Sequence, residues 1–498
     1  MTSSVLLMSS MSNQAVEPEI VASSVPKPER MMDGFPWVSA IILYTLSWGW
    51  SLIRPNTLYW EDWECLQWTL KTGRCAPSWR GVTPYGVFFK SFPKLSVTLL
   101  TFILFFLAGI FLFGILKQFR QLDLRSKQVA VLIFLVIPVY HARVSGIVFG
   151  HAVNYFTFFL GWVMIVQCKK IWIYTLALLA IFLSLHTESL LFFVLLPFAN
   201  FLWLNKVNLL SGKEVQKFRA LALVFMLLPP LFISLRTIFW PTRDDNYREI
   251  SFDHFVLGFT PIFIASVFLA VAIFRYRKTK TVNIGIALAA GGLWIFALAL
   301  FPYFLAGSIA GYGARSRSAY VTVFEFRAAW RSRHLLLTPL GLSLTVVGLN
   351  QLWNPRNRNY LLKFILTSSV LLNMFFGSQY FLQSHKQEQL VALFKSTKDE
   401  IVIASVSDQT IRFMGRGSEF ISDEWFGLMT LAEVPDEWIS QMDLVGVDMP
   451  DRPGCEALRA GSALTLESET PYLKALVTRD LGLYFEVTPC SEVLAKDG

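Results

Sequence analysis

Apolar runs recur along most of this chain, each close to the roughly 20 residues that cross ~30 Å of hydrocarbon as a helix. They fall at 36–53, 95–116, 128–142, 151–167, 171–185, 190–204, 220–238, 256–274, 282–302, 334–352 and 361–381. No single soluble core accommodates so many. Composition agrees: 54% of residues are hydrophobic and 16% charged, against roughly 25% charged in soluble domains. The expected fold class is mainly α, a polytopic membrane protein with about eleven transmembrane helices. The pairs of runs flanking His141–His151 and His186–Glu188 are short, and each pair reads equally as one re-entrant hairpin.

Charge divides the chain into two parts. Residues 1–384 hold 34 Lys/Arg against 15 Asp/Glu, and residues 385–498 hold 10 against 20. The net charge of +9 therefore belongs to the apolar part, where loop cations set orientation, and does not point to nucleic acid. Residues 1–35 read as a disordered leader, rich near the start in Ser, Pro and Glu. The first span then serves as an uncleaved anchor. Residues 36–384 form the membrane domain. Residues 385–498 have the balance of an acidic soluble domain, and their runs EIVIASV, ALTLES and LGLYFEV predict a small α/β or β-rich fold.

The loops at 117–127, 168–170, 205–219, 275–280 and 353–363 are basic and alternate with the others. The positive-inside rule places them in the cytoplasm. The N-terminus is then inside and the C-terminal domain extracytoplasmic, with a bacterial inner (plasma) membrane as the expected location. Glu61, Asp62, Glu64, Glu188, Asp244, Asp245, Glu249, Asp253 and Glu325 fall outside, while Asp123 and Glu214 fall inside. All six histidines also map to the outer side or its edge. Cys65 and Cys75 share the first outer loop, and Cys455 and Cys490 share the tail. An oxidising compartment allows both pairs to form disulfides. Cys168 is cytoplasmic.

The first outer loop, 54–94, opens with NTLYWEDWECLQW. On a helix Tyr59, Trp63, Leu66 and Leu70 make one stripe with Glu64, Trp68 and Lys71 opposite, which predicts a helix lying at the interface. Asp62 falls beside the apolar stripe and Glu61 points away from it. Burial raises a carboxylate pKa and makes it a better base, so Asp62 is the stronger candidate. The competing reading is a solvated acidic pair between tryptophan anchors.

This layout resembles the GT-C superfamily of membrane glycosyltransferases: one span, a long outer loop with an acidic motif at its start, many spans, and an extracytoplasmic C-terminal domain. The likeness covers residues 36–498, and its specific motif is the Glu61-Asp62 pair. The resemblance implies sugar transfer from a polyprenyl phosphate or diphosphate carrier to a glycan, lipid or protein acceptor on the outer face. Asp62 or Glu61 would take the proton of the attacking hydroxyl, with inversion at the anomeric carbon. Some members of the superfamily use a divalent cation such as Mg or Mn and others do not, so the metal stays open.

A departing phosphate needs cations. EFRAAWRSRH (325–334) supplies Arg331, Arg333 and His334 before a span, and arginine grips phosphate at two points. Headgroup binding by snorkelling side chains is the equal alternative. In HTES (186–189), His186 and Glu188 join two apolar segments, where ionisable residues usually face a cavity. Arg143 in HARVSGIVFGH (141–151) is a further phosphate or sugar ligand, and His141 and His151 are cavity candidates. Asp244 and Asp245 sit in a longer, more polar loop and come next. No phosphate loop, HExxH motif or zinc-type cysteine pairing occurs. A transporter or lipid flippase, or a non-catalytic receptor or assembly factor, is the alternative of another class.

Overall fold

A computed structural model describes residues 32–59, 62–63, 94–119, 122–167, 170–187, 189–208, 212–239, 252–279, 284–305, 335–352, 355–406, 411–414, 422–435, 443–445 and 462–489. All five cysteines, Glu61, Glu188, Asp244, Asp245, Arg331, Arg333 and His334 lie outside these residues. Most described residues are helical. The helices are α1 (Trp37–Trp48), α2 (Lys94–Leu116), α3 (Leu124–Val136), α4 (Phe149–Gln167), α5 (Ile171–Ser184), α6 (Leu190–Phe193), α7 (Leu195–Asn208), α8 (Gly212–Phe239), α9 (Phe252–Thr279), α10 (Ile284–Leu305), α11 (Thr338–Leu352) and α12 (Pro355–Val406). Each apolar run of the sequence coincides with a helix or helix pair. Among the described residues, six helices (α2, α4, α8, α9, α10 and α12) are long and apolar enough to cross a membrane, with shorter apolar stretches in α5 and α6–α7.

The exposure pattern explains why lipid is the fitting solvent. On α1 the exposed residues include Val38, Ile41, Ile42 and Leu46, while Ala40, Tyr44, Ser47 and Trp48 are buried. On α8 and α9 rows of Leu and Phe, among them Leu223, Leu227, Phe263 and Phe268, lie exposed. Water would penalise such faces at about 25 cal/mol per Å². In hydrocarbon the small and polar residues turn inward and the aliphatics outward. Helix α3 is buried on all sides from Val129 to Val136 and forms the axis, touching α1, α2, α11 and α12.

Small residues set the closest helix pair. A Cβ on Gly348 of α11 would stand 2.3 Å from the Ala289 nitrogen, and one on Gly292 of α10 would stand 2.4 Å from the Thr345 nitrogen. The backbones of α10 and α11 can touch only because those side chains are hydrogen.

Helix α12 continues past the apolar run to Val406 without a break at residue 385. Its extension is rich in helix formers (QSHKQEQLVALFK). Leu390 and Phe394 on that extension are fully buried against α13 (Ser422–Leu431) and Trp63. EIVIASV, a strand in the sequence reading, is thus helical through residue 406. Its β-branched residues are carried by a helix already propagating, where each added residue gains a hydrogen bond.

The C-terminal residues contain four paired strands, β1 (Ile411–Met414), β2 (Asp443–Val445), β3 (Ser462–Ser468) and β4 (Leu483–Pro489), in the order β2-β1-β3-β4. Strand β1 runs parallel to β2 and β3, and β3 pairs antiparallel with β4, with Leu466 opposite Phe485. A short helix, α14 (Tyr472–Thr478), lies between β3 and β4.

Candidate functional site

Three segments far apart in sequence meet at one end of α3. The first begins where α1 stops. Gly49 adopts φ +42°, a left-handed conformation that glycine takes without strain. The chain then turns through residues 49–52 toward Tyr59 and Asp62. The second begins where α3 stops. Ile137 precedes Pro138 and is extended, with ψ 128°. Two tight helical turns follow, His141–Val144 and Gly146–Val148. The third is the stretch of α12 from Ser369 to Gln387.

Asp62 is only 1% exposed. Its Oδ1 accepts from the Ser145 hydroxyl at 2.8 Å, and its Oδ2 accepts from the Gly146 N–H at 2.9 Å and the Tyr59 N–H at 3.1 Å. The carboxylate therefore pins the first loop to the turn at 141–146. Tyr59 and Trp63, the stripe residues, are buried as well. The Tyr59 hydroxyl donates to the Tyr380 carbonyl at 3.1 Å, and burial pushes its pKa up. Trp63 donates from Nε1 to the Leu58 carbonyl. Its ring lies so close to Gly427 of α13 that a Cβ there would stand 2.3 Å from Cε3.

Arg143 lies two residues before Ser145 and is also buried. Its Nη2 donates to the Ser47 carbonyl at 2.8 Å, the Asn373 Oδ1 at 3.2 Å and the Ser47 hydroxyl at 3.3 Å. The guanidinium stands 5.0 Å from the centre of the Trp48 ring. Among the described residues no carboxylate is one of its partners. Asn373 is fixed in turn by donating to the Val136 and Ser369 carbonyls. Burial lowers the Arg143 pKa, countered in part by the surrounding tyrosines.

Arg143 also lines a cavity of about 30 Å³, walled by Tyr44, Phe105, Phe134, Tyr140 and Tyr155 among others. The Tyr155 hydroxyl is buried there and makes no hydrogen bond among the described residues. That volume matches a water molecule.

His141 stacks on Phe376 at 4.4 Å, and its Nδ1 is 2.8 Å from the Tyr380 hydroxyl. It lies in the turn beyond α3, outside the long apolar helices. Burial, with the Arg143 charge adding, lowers its pKa to about 3, so the ring is neutral. His151 and Asn154 both meet the Thr187 hydroxyl, at 3.2 and 2.9 Å. His186 is exposed, with Nδ1 against the Leu183 carbonyl and its ring on Phe232.

Of the residues named from sequence, Asp62, Arg143 and His141 thus come together. The sequence reading missed Ser47, Ser145, Tyr155, Asn373 and Tyr380. Asn373 had a readable signal, an amide inside the apolar run LLNMFF. Among the described residues no group of three or more His, Cys, Asp or Glu assembles as a metal site. No family model matches the chain, and no curated protein or solved structure matches it.

Proposed function

We propose that the chain is a membrane glycosyltransferase that moves a sugar from a polyprenyl phosphate or diphosphate to an acceptor at the outer face, with inversion. The observation that supports it most is Arg143, a buried guanidinium with no carboxylate partner among the described residues, in a cavity wall, on the turn that Asp62 holds. A buried cation left in this state is costly, and an incoming phosphate would answer it with paired, charge-assisted hydrogen bonds. At about 30 Å³ the cavity takes a water; a phosphate enters when the neighbouring side chains move outward.

In the proposed step the acceptor oxygen attacks the anomeric carbon. The bond from that carbon to the carrier's phosphate oxygen breaks, and its electron pair leaves with the lipid phosphate. Arg143 answers the charge gathering there, with Arg331, Arg333 and His334 assigned the same task from sequence. The hydroxyl proton passes to the Glu61-Asp62 pair. Asp62 already takes three donors and is closed to solvent, which favours Glu61 as the base and Asp62 as the residue that holds the loop. Glu188 stays a candidate wall of the sugar site. Eleven crossings belong to the same proposal, with the shorter helices counted, as do an inner-membrane location, a cytoplasmic N-terminus and an extracytoplasmic α/β C-terminal domain.

The test is transfer from polyprenyl-phosphate-linked radiolabelled hexoses and pentoses by the full chain in nanodiscs, with membrane glycan extract as acceptor. Glu61→Gln and Arg143→Gln are each expected to lower the rate by ~10² or more. An unchanged rate in Arg143→Gln would remove the phosphate role. Movement of lipid between leaflets without glycoside formation would replace the enzyme by a flippase.

A further inference from the structure

Helix α14 presents an apolar face that is exposed among the described residues. Leu473 is 74% and Val477 81% exposed, and their i, i+4 spacing puts them on one side of the helix. Tyr472 beside them is partly exposed, whereas Ala475 faces inward and is buried. Two exposed aliphatics at that level are unusual for a segment flanked by charged and polar residues (SETPYLKALVTRD).

The position of α14 names what covers it. Its Tyr472 ring packs 6.3 Å from Phe375 of α12, and the Tyr472 and Ser378 hydroxyls share a hydrogen bond. Arg479, which ends α14 in a left-handed conformation, stands 6.0 Å from the centre of the Phe381 ring. From Phe375 to Leu382, where the apolar run gives way to QSHKQ, α12 rises roughly 10 Å at ~1.5 Å per residue. Helix α14 therefore lies beside the last two turns of the apolar run 361–381, within a candidate membrane span. That span is itself exposed at Phe364, Leu371 and Phe375, and α14 is joined to it at Phe375 through Tyr472. Lys474 and Arg479 are both exposed and provide cations beside this apolar face. Amphipathic interfacial helices bury their apolar face ~5–10 Å into the headgroup and acyl boundary, with cations toward the phosphates, and the depth along α12 agrees.

We propose that α14 is a membrane-surface anchor, with Leu473 and Val477 in the acyl boundary of the bilayer and Lys474 and Arg479 at the lipid phosphates. The connection between β3 and β4 is thereby held against the membrane, next to the loop that carries Asp62. This holds whether or not the chain transfers sugar.

The experiment places a benzophenone amino acid at 473 or 477 in the full chain, in nanodiscs of phosphatidylcholine and phosphatidylglycerol, and reads the photoadducts by mass. Position 371 serves as the lipid-facing control and position 469 as the aqueous one. Lipid adducts at 473 and 477 are expected within about threefold of the yield at 371, with none at 469. Yields at the level of 469 would overturn the proposal. So would adducts to a second copy of the chain, which would make the face a protein interface.

Discussion

Two buried charges bear on the turn at 141–146, Asp62 by its hydrogen bonds to Ser145 and Gly146 and Arg143 as part of the turn, and their surroundings are opposite. Asp62 is met by three fixed donors from two segments. Arg143 is met by neutral oxygens and an indole face, beside a cavity. A buried charge whose hydrogen bonds are complete organises the chain around it. One that lacks a counter-charge persists where something from outside supplies it. The Asp62 side of the turn is scaffold, and the Arg143 side is where a ligand would act.

The comparison breaks first on stability. Asp62→Ala strands the Ser145 hydroxyl and two backbone N–H groups, at ~1 kcal/mol or more each. The expected loss is about 3 kcal/mol, read as a drop in the thermal midpoint of the purified protein. Arg143→Met in the ligand-free protein removes a charge that is met by neutral oxygens and, among the described residues, by no carboxylate, and is expected to lose less than half as much. Adding farnesyl phosphate should raise the midpoint of the wild type and leave that of Arg143→Met unmoved. Equal losses in the two variants, with equal ligand shifts, would erase the distinction.

What was legible in the sequence divides along the same line. Each apolar run became helix because hydropathy needs no partner to be read. Helical spacing grouped Tyr59 with Trp63 on one stripe, but Tyr59 is not helical and the two rings are buried in separate clusters, while Leu66 and Leu70 of that stripe lie outside the described residues. The partners of Asp62 were not legible, since Ser145 and Gly146 lie 83 and 84 residues away and nothing local announces the pairing. Arg143 ranked below Arg331 and Arg333 because a cluster of cations is conspicuous and a single one in HARVSG is not. Its distinguishing property, neutral oxygens and an indole face around it, exists only after folding. EIVIASV misled because β-branched content describes a preference that an established helix overrides.

A second prediction sharpens the scaffold side. Trp63 is held between α12 and α13, and Gly427 leaves the room for its ring. Gly427→Ala forces the ring to shift, at about 1–3 kcal/mol for an overpacked site. Amide hydrogen exchange at Tyr59, Asp62 and Trp63 should quicken, while amides of α10 and α11 keep their rates. Uniform quickening would mean that α13 supports the whole bundle rather than this loop.

The smallest effect concerns His141, which shares its turn with Arg143 and is neutral in the folded state. Its folded pKa of about 3 lies below the ordinary 6.5. As pH falls through 6.5 the unfolded chain takes up a proton that the folded one refuses, so folding weakens progressively between those two values. At pH 7 the penalty is nearly absent. In His141→Gln this contribution disappears, and the midpoint should fall less steeply from pH 7 to 4.5 than in the wild type, by a few degrees at the lower end. The Tyr380 hydroxyl keeps an amide partner in that variant, so a change confined to acid pH reports the imidazole. Parallel pH profiles would show that His141 is protonated in the folded protein, and a charged ring beside Arg143 would then require an anion in the turn already.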